Sequence, residues 1–323
     1  MNFNEKIDYS SLTEYIDCPR AFMFKYIMHL KSSRPKLDLI FGSCWHYGLE
    51  VVYLQLMNDP DSLTIYDATE LARVSFNLLW SIEGEPHFTE ETSFPKSPGN
   101  AANMYFEYFS RYMKIDSRYT ILAVESGFAI DLSLLCPGLP LYIGRMDLVM
   151  KNHKGKLLID DHKSAKYITK ATSFGYDMSY QTLGYLTAGQ LYYDQLATMR
   201  YRIAICQKSQ INFHIFEYTK TQNNIDNFLH DLVYHMQNIL LDIDQFNQDK
   251  EEFTKPVDML NCFHRHQGYA CTKYFQQCSY FDLCKIRNNP LGWLNKPPQG
   301  FVIKEWDPSV HEEEMKTKIK EAS

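Results

Sequence analysis

No apolar run in the 323 residues approaches the ~20 that a helix needs to cross a bilayer, so a membrane-spanning protein is not expected. The N-terminus, Met1 to Ser10, carries charges where a secretory signal needs an apolar core, which argues against export. Basic residues are not in excess: 33 Lys and Arg against 39 Asp and Glu leave a net charge of −6. A surface coated for nonspecific nucleic-acid binding is thereby excluded, although a local basic patch is not. Internal repeats are absent. With 45% hydrophobic and 22% charged residues, whole-chain disorder, collagen and coiled coil are excluded as well. What is present is a chain long enough to bury roughly three quarters of its unfolded surface, so no staple is needed for stability. Length alone is a weak prior for about two domains. In the expected cytoplasm, the eight cysteines are more often metal ligands than disulfide partners.

Patterning divides the chain into a helical first half and a mixed second half. Ser11-Leu-Thr-Glu14 reads as a capping box, predicting a short helix that breaks at Cys18-Pro19. Pro19 suits the first position of a second helix over 20–30, with Phe22, Tyr26 and Leu30 at helical spacing. Cys18 then lies at a helix–helix joint, near the positive end of the second helix, where a thiolate is favoured. Further helices are predicted over 45–57, 65–82 and 100–114, with a loop over 83–99. The period shortens over 120–131, 141–150 and 156–161, and Asn152-His-Lys-Gly155 resembles a hairpin turn. A helix over 176–196, paired strands over 200–207 and 211–218, and a long helix over 224–246 follow. Beyond 251 the chain is irregular, and 311–322 is a charged helix or tail. Cys44, Cys136 and Cys206 fall in helix or strand patterns and read as small buried hydrophobes.

The densest local charge lies between Ile143 and Lys170, where seven Lys or Arg meet three Asp, a net of +4. An antiparallel hairpin there sets Asp147 beside Asp161. Two such carboxylates repel unless a divalent cation neutralises them, and hard oxygen ligands select Mg²⁺ or Mn²⁺. Lys163 shares the face of Asp161, two residues on. Taken singly, each of these is more often a solvated hairpin residue. The spacing Gly144-x-x-Asp147, then an apolar strand ending in Asp161-x-Lys163, resembles the core of the PD-(D/E)XK nucleases. Gln181-x-x-x-Tyr185, one helical turn apart, is similar to the element that follows the lysine in RecB-type members. Gly42-x-x-x-His46 is similar to their first motif, whose histidine binds metal. The resemblance implies an α/β, restriction-endonuclease-like core, a small mixed sheet flanked by helices, behind a helical N-terminal part. It implies Mg²⁺ or Mn²⁺ held by His46, Asp147, Asp161 and the carbonyl of His162, with Lys163 positioning the attacking water. Gln181 and Tyr185 would orient the lysine or hold the strand. Arg145, Lys166 and Lys170 are candidate phosphate contacts.

Cys271, Cys278 and Cys284 form a tight C-terminal trio. With Cys18 they resemble the ligands of the iron–sulfur subgroup, which includes CRISPR adaptation nucleases and phage-encoded relatives. The familiar spacing between the first two C-terminal cysteines is two residues; here it is six, and Cys262 is an alternative ligand. Zinc, with His264 or His266, is the competing occupant. The resemblance implies one nuclease domain over 1–290, closed by a [4Fe–4S] clasp, and a C-terminal tail over 291–323. It implies a DNA exonuclease acting on single-stranded or resected ends in recombination, repair or replication, alongside a recombination or replication protein partner, in a bacterial cytoplasm. A silent DNA-binding scaffold and an RNA nuclease are the alternatives.

Overall fold

The computed structural model describes Phe3 and residues 5–252, 259–272, 277–286 and 289–305. The expected helix or tail over 311–322 lies outside them. The chain divides into two compact units, one of Met1–Arg34, Ala129–Ile143 and Asn227–Glu313, the other of Pro35–Phe128, Gly144–Asp226 and Glu314–Ser323.

In chain order the elements begin with β1 (Lys6–Asp8), α1 (Tyr9–Asp17), α2 (Pro19–Phe22), a π-helical turn (Met23–Ile27) and β2 (Leu30–Ser32). Then come α3 (Leu37–Asn58), α4 (Ile65–Glu83), α5 (Glu90–Ser93) and α6 (Pro98–Asp116). Strands β3 (Tyr119–Ile130), β4 (Leu141–Asn152) and β5 (Leu157–Ala165) lead to α7 (Lys170–Asp177) and α8 (Tyr180–Tyr193). The remainder is β6 (Thr198–Cys206), β7 (Ile211–Tyr218), α9 (Gln222–Glu252), α10 (Phe281–Ile286) and β8 (Phe301–Ile303).

The second unit holds the larger part of a mixed sheet. β3 pairs with β4, and from β4 the order runs β5, β6, β7. β4 and β5 are antiparallel, with Leu148 opposite Asp160 and Lys151 opposite Leu157. β5 and β6 run parallel, with Asp160 beside Arg200 and His162 beside Arg202. The β4–β5 turn closes as its sequence suggests. Asn152 Oδ1 accepts from the N–H groups of Lys154 and Lys156, at 3.0 and 2.9 Å, and Gly155 takes the φ of +80° that only glycine adopts freely.

Helices α3, α4 and α6 supply one side of the core. Phe41, Trp45, Val52, Phe76, Met104 and Tyr105 pack with Leu148, Met150, Leu158 and Ala204 of the sheet. On α3 the buried Phe41, Trp45, Leu49, Val52 and Leu56 recur every three or four residues, the period of a core-facing helix. Gly189 of α8 meets Ile159 and Leu157, on the alternate residues of β5.

In the first unit, β1 runs parallel to the start of β4, with Lys6 opposite Leu141 and Asp8 opposite Ile143. β2 pairs antiparallel with β8. Its core is aromatic: Phe22 stacks on Phe263 at 5.9 Å and Phe24 on Tyr280 at 5.3 Å.

Four local expectations are corrected. The first helix is capped by Asp8, not Ser11; Asp8 Oδ1 accepts the Ser11 N–H at 3.0 Å and Ser11 Oγ accepts the Asp8 N–H at 3.2 Å. The second helix stops early, because His29 turns into the left-handed region (φ 53°) and Leu30 enters β2 opposite Ile303. The single helix over 176–196 is two, split where Ser179 caps α8. Cys136 sits half-exposed in a turn, whereas Cys44 and Cys206 are buried as expected.

Candidate active site

Five elements of the second unit converge on two carboxylates. Extending the β4–β5 register by one residue sets Asp147 opposite Asp161, and both are buried. Asp147 Oδ2 accepts the backbone N–H of His162 at 2.8 Å and lies 3.1 Å from His46 Nδ1 of α3. Lys163 Nζ is 2.7 Å from Asp161 Oδ2, an ion pair that neutralises the buried carboxylate. From α8, Gln181 Nε2 donates to Asp161 Oδ1 at 2.9 Å and to Tyr185 Oη at 3.1 Å. Tyr185 Oη donates in turn to the Arg145 carbonyl at 2.6 Å, two residues before Asp147 on β4. The pair Gln181 and Tyr185 therefore ties both carboxylate strands to one helix face. Their contact is with Asp161 and the β4 backbone.

Two neighbours come from outside the sequence reading. Glu125 of β3 holds Arg145 Nε at 2.7 Å, and it sits in the left-handed backbone region (φ 48°), a strained place for glutamate. Its only sequence signal is an acid inside the apolar run Ala123-Val-Glu-Ser-Gly-Phe128. The second is a buried network behind His162. Tyr108 Oη lies 2.9 Å from His162 Nε2, and Arg202 reaches Tyr108 Oη at 3.1 Å. Arg202 also forms a two-pronged pair with Asp116, at 2.7 Å on each side. Alternation along β5 sorts the adjacent acids: Asp161 faces the site, while Asp160 pairs with Arg200 and Arg202 at 2.6 Å. Gly144 also has a steric reason, since a Cβ there would lie 2.5 Å from the Phe128 ring.

Residues 7–285 match the family model of the PD-(D/E)XK nuclease superfamily. The chain belongs to the PD-(D/E)XK nuclease superfamily. It is thus a nuclease with nucleic acid as its substrate, in a superfamily whose members typically use divalent metals. Among solved structures, it is similar to a candidate exonuclease from Eubacterium rectale, at 16% identity and TM-score 0.45, over 87% of this chain and 93% of that one. It is also similar to the protein SSO0001, at 9% identity and TM-score 0.31, over 72% and 78%. Neither overlap, at a TM-score below 0.5, establishes more than the family match does. No curated protein matches the sequence.

The donor set of this PD-(D/E)XK site fits a divalent cation. His46, Glu125 and Asp147 each offer a ligand atom, all within 4.8 Å of one another. Together with Asp161 they are hard oxygen donors and one imidazole, a set that suits a divalent cation. The electrostatics agree. Burial, then the Asp147 charge, pushes Glu125 up to about 8, and burial pushes Asp161 up to about 6 against the pull of Lys163. Burial alone would lower His46, but Asp147 overrides it and raises the imidazole to about 9. Asp147 is held well below the usual carboxylate range: burial works against this, but His46 and the His162 imidazole prevail. Carboxyls driven towards protonation are groups short of positive charge.

The sulfur residues lie in the first unit. Cys18, between α1 and α2, and Cys271, Cys278 and Cys284 are free thiols, each half-buried. Burial, then the nearby Cys18, pushes Cys284 up to about 11. Burial also raises Cys278, with Glu14, Cys18 and Cys271 adding to it. The Cys278 N–H donates to the Cys271 carbonyl at 2.8 Å. Cys262 is turned elsewhere, fully buried with its thiol 3.5 Å from Asp249 Oδ2. His266 Nδ1 lies 3.0 Å from the Asp17 carbonyl.

Proposed function

We propose that the protein is a Mg²⁺- or Mn²⁺-dependent deoxyribonuclease, an exonuclease on single-stranded or resected DNA ends. The observation that carries this reading is the convergence of Asp147, Asp161 and Lys163 with His46 and Glu125. His46, Asp147, Asp161 and the His162 carbonyl would hold the cation, with Glu125 as a further oxygen ligand. A divalent cation there supplies Lewis acidity, lowering the pKa of water and offsetting charge on the phosphate. Lys163 hydrogen-bonds the attacking water and aims it at phosphorus; its raised pKa, set against burial by the Asp161 and Asp147 charges, keeps it a cation. Gln181 holds the Asp161 carboxylate in one orientation, and Tyr185 holds the β4 backbone. Arg145, though paired with Glu125, leaves half of its side chain exposed for a phosphate.

The four cysteines support a place in the RecB-like iron–sulfur subgroup. Cys18, Cys271, Cys278 and Cys284 would hold a [4Fe–4S] cluster with a structural role, since hydrolysis transfers no electrons. On this reading the nuclease domain spans 1–290, and the protein works in a bacterial or phage-infected cytoplasm, in recombination, repair or replication. The test is digestion of end-labelled single- and double-stranded DNA, and of RNA, with Mg²⁺ or Mn²⁺. Release of mononucleotides or short oligonucleotides from DNA ends is expected. Cleavage confined to RNA overturns the DNA assignment. Binding without cleavage under either cation leaves a silent scaffold instead.

A further inference from the structure

We infer that the outward face of α7 is a stacking platform for single-stranded nucleic acid, with Tyr167 and Phe174 meeting bases and Lys166 and Lys170 meeting phosphates. This rests on the nuclease reading of the neighbouring site.

Helix α7 is unusual in burying none of its residues. It is nevertheless tethered. Tyr218 Oη donates to the Ser173 carbonyl at 2.7 Å, Tyr176 stacks on Tyr201 with ring centres 4.2 Å apart, and Lys220 pairs with Asp177 at 2.5 Å. Beside these tethers Lys170 and Phe174 follow at i and i+4, with Tyr167 just before the helix and Met178, whose Sδ lies 3.5 Å from Lys220 Nζ, just after it. These are large exposed surfaces, 63% for Tyr167, 73% for Phe174 and 59% for Met178. An anchored helix that turns its aromatics to water contributes nothing to the fold by doing so.

Charge and position say what covers them. From Ser164 to Met178 there are two lysines, Lys166 and Lys170, and one acid, Asp177, which Lys220 already neutralises, inside a chain of net charge −6. The platform begins close to the site in the chain, because Tyr167 is four residues past Lys163, at most about 14 Å of extended chain. Tyr201, under the Tyr176 ring, interacts electrostatically with both Asp161 and Lys163. Aromatic faces interleaved with lysines suit unpaired bases on a phosphate backbone, since every base offers a π-face. A duplex hides those faces, so the platform selects single strands.

The test is fluorescence anisotropy with labelled oligothymidylate, oligouridylate and a duplex of equal length, in metal-free buffer. Tyr167→Ala and Phe174→Ala should each weaken single-strand binding about tenfold, from the usual stacking contribution. Phe174→Trp should restore it, duplex binding should barely move, and Lys170→Ala should reduce the salt dependence by about one phosphate contact. Tyr66, 73% exposed on α4, provides the control, and Tyr66→Ala should bind as wild type does. Unchanged single-strand affinity in both aromatic variants overturns the platform, as does an equal loss on duplex. A self-associated protein that dissociates on Phe174→Ala without a change in affinity also overturns it, by making α7 an interface between copies. Loss on oligouridylate alone keeps the platform and makes the ligand RNA. Hydrolysis of bis(p-nitrophenyl) phosphate by the wild type with Mn²⁺ is scored separately. Its failure, with the platform effects intact, sinks the nuclease reading and leaves the binding site standing.

Discussion

Each side chain of the site is expensive to bury alone and is stabilised only by its neighbours. Asp161→Ala or Lys163→Ala should therefore abolish cleavage with the fold intact, and metal-free Asp161→Ala should melt no lower than the parent, since a carboxylate facing Asp147 is gone. Wild-type cleavage rates in both variants would exclude the assigned roles. Gln181→Ala should slow cleavage while preserving Mn²⁺ binding, because Gln181 touches Asp161 and not the cation position; a calorimetric titration without a binding isotherm would misplace it. The pH dependence has a definite sign. Asp161, Glu125 and His46 are raised to about 6, 8 and 9 from 3.8, 4.5 and 6.5, so above pH 4 these three groups hold more protons in the folded chain than in the unfolded one, with His162, lowered by burial, opposing them. Metal-free stability should fall as pH rises from about 4 to about 9. Ligation needs the deprotonated forms, so Mn²⁺ affinity should climb over roughly pH 6 to 9 with protons released. Melting curves at several pH values, with and without Mn²⁺, check both; a cation-induced shift independent of pH would contradict them.

At the scale of elements, β5 performs two tasks through its alternation. One face delivers Asp161 and Lys163, and the other delivers Asp160 and His162 to a buried ionic network with Arg200, Arg202 and Asp116. Removing one partner of a buried pair leaves the other charge uncompensated, typically a loss of 3–5 kcal/mol. Arg202→Leu should thus lower stability by about 4 kcal/mol, read by chemical denaturation. Tyr108→Phe keeps the packing but frees the His162 ring, and should cost only about 1 kcal/mol while lowering the cleavage rate. An Arg202→Leu protein as stable as wild type would mean that the network is dispensable.

For the molecule as a whole, the decisive measurement is iron. Anaerobically purified protein should be brown and contain iron, and Cys18→Ser, Cys271→Ser, Cys278→Ser and Cys284→Ser should each lose it and melt lower. Cys18 and Cys271 are 253 residues apart, and cross-linking so long a loop restrains the unfolded chain by roughly 5 kcal/mol in the loop-entropy model. Cys44→Ser, Cys136→Ser and Cys206→Ser should keep full iron. Stoichiometric zinc without iron would defeat the cluster, and iron lost from Cys262→Ser but kept by Cys271→Ser would move the ligand to Cys262.

The sequence by itself determined what short-range chemistry can determine. The periods of β3 to β7 and of α3, α4, α6 and α9, and the turn residues Asn152 and Gly155, are local properties. So is the spacing that sets Asp147 across from Asp161 and puts Gln181 one turn from Tyr185. Glu125, Asp8 and the Arg202 network were decided only in three dimensions. Glu125 is one acid in an apolar strand until β3 lies beside β4. Asp8 outcompetes Ser11 as a cap because β1 ends there, paired to β4. Arg200 and Arg202 read as ordinary strand residues until the parallel register with β5 sets them beside Asp160 and His162. A buried charge is tolerable only next to its partner, and here the partners lie 40 to 86 residues away. Local pattern carries no information about contacts at that separation, so packing alone selected them.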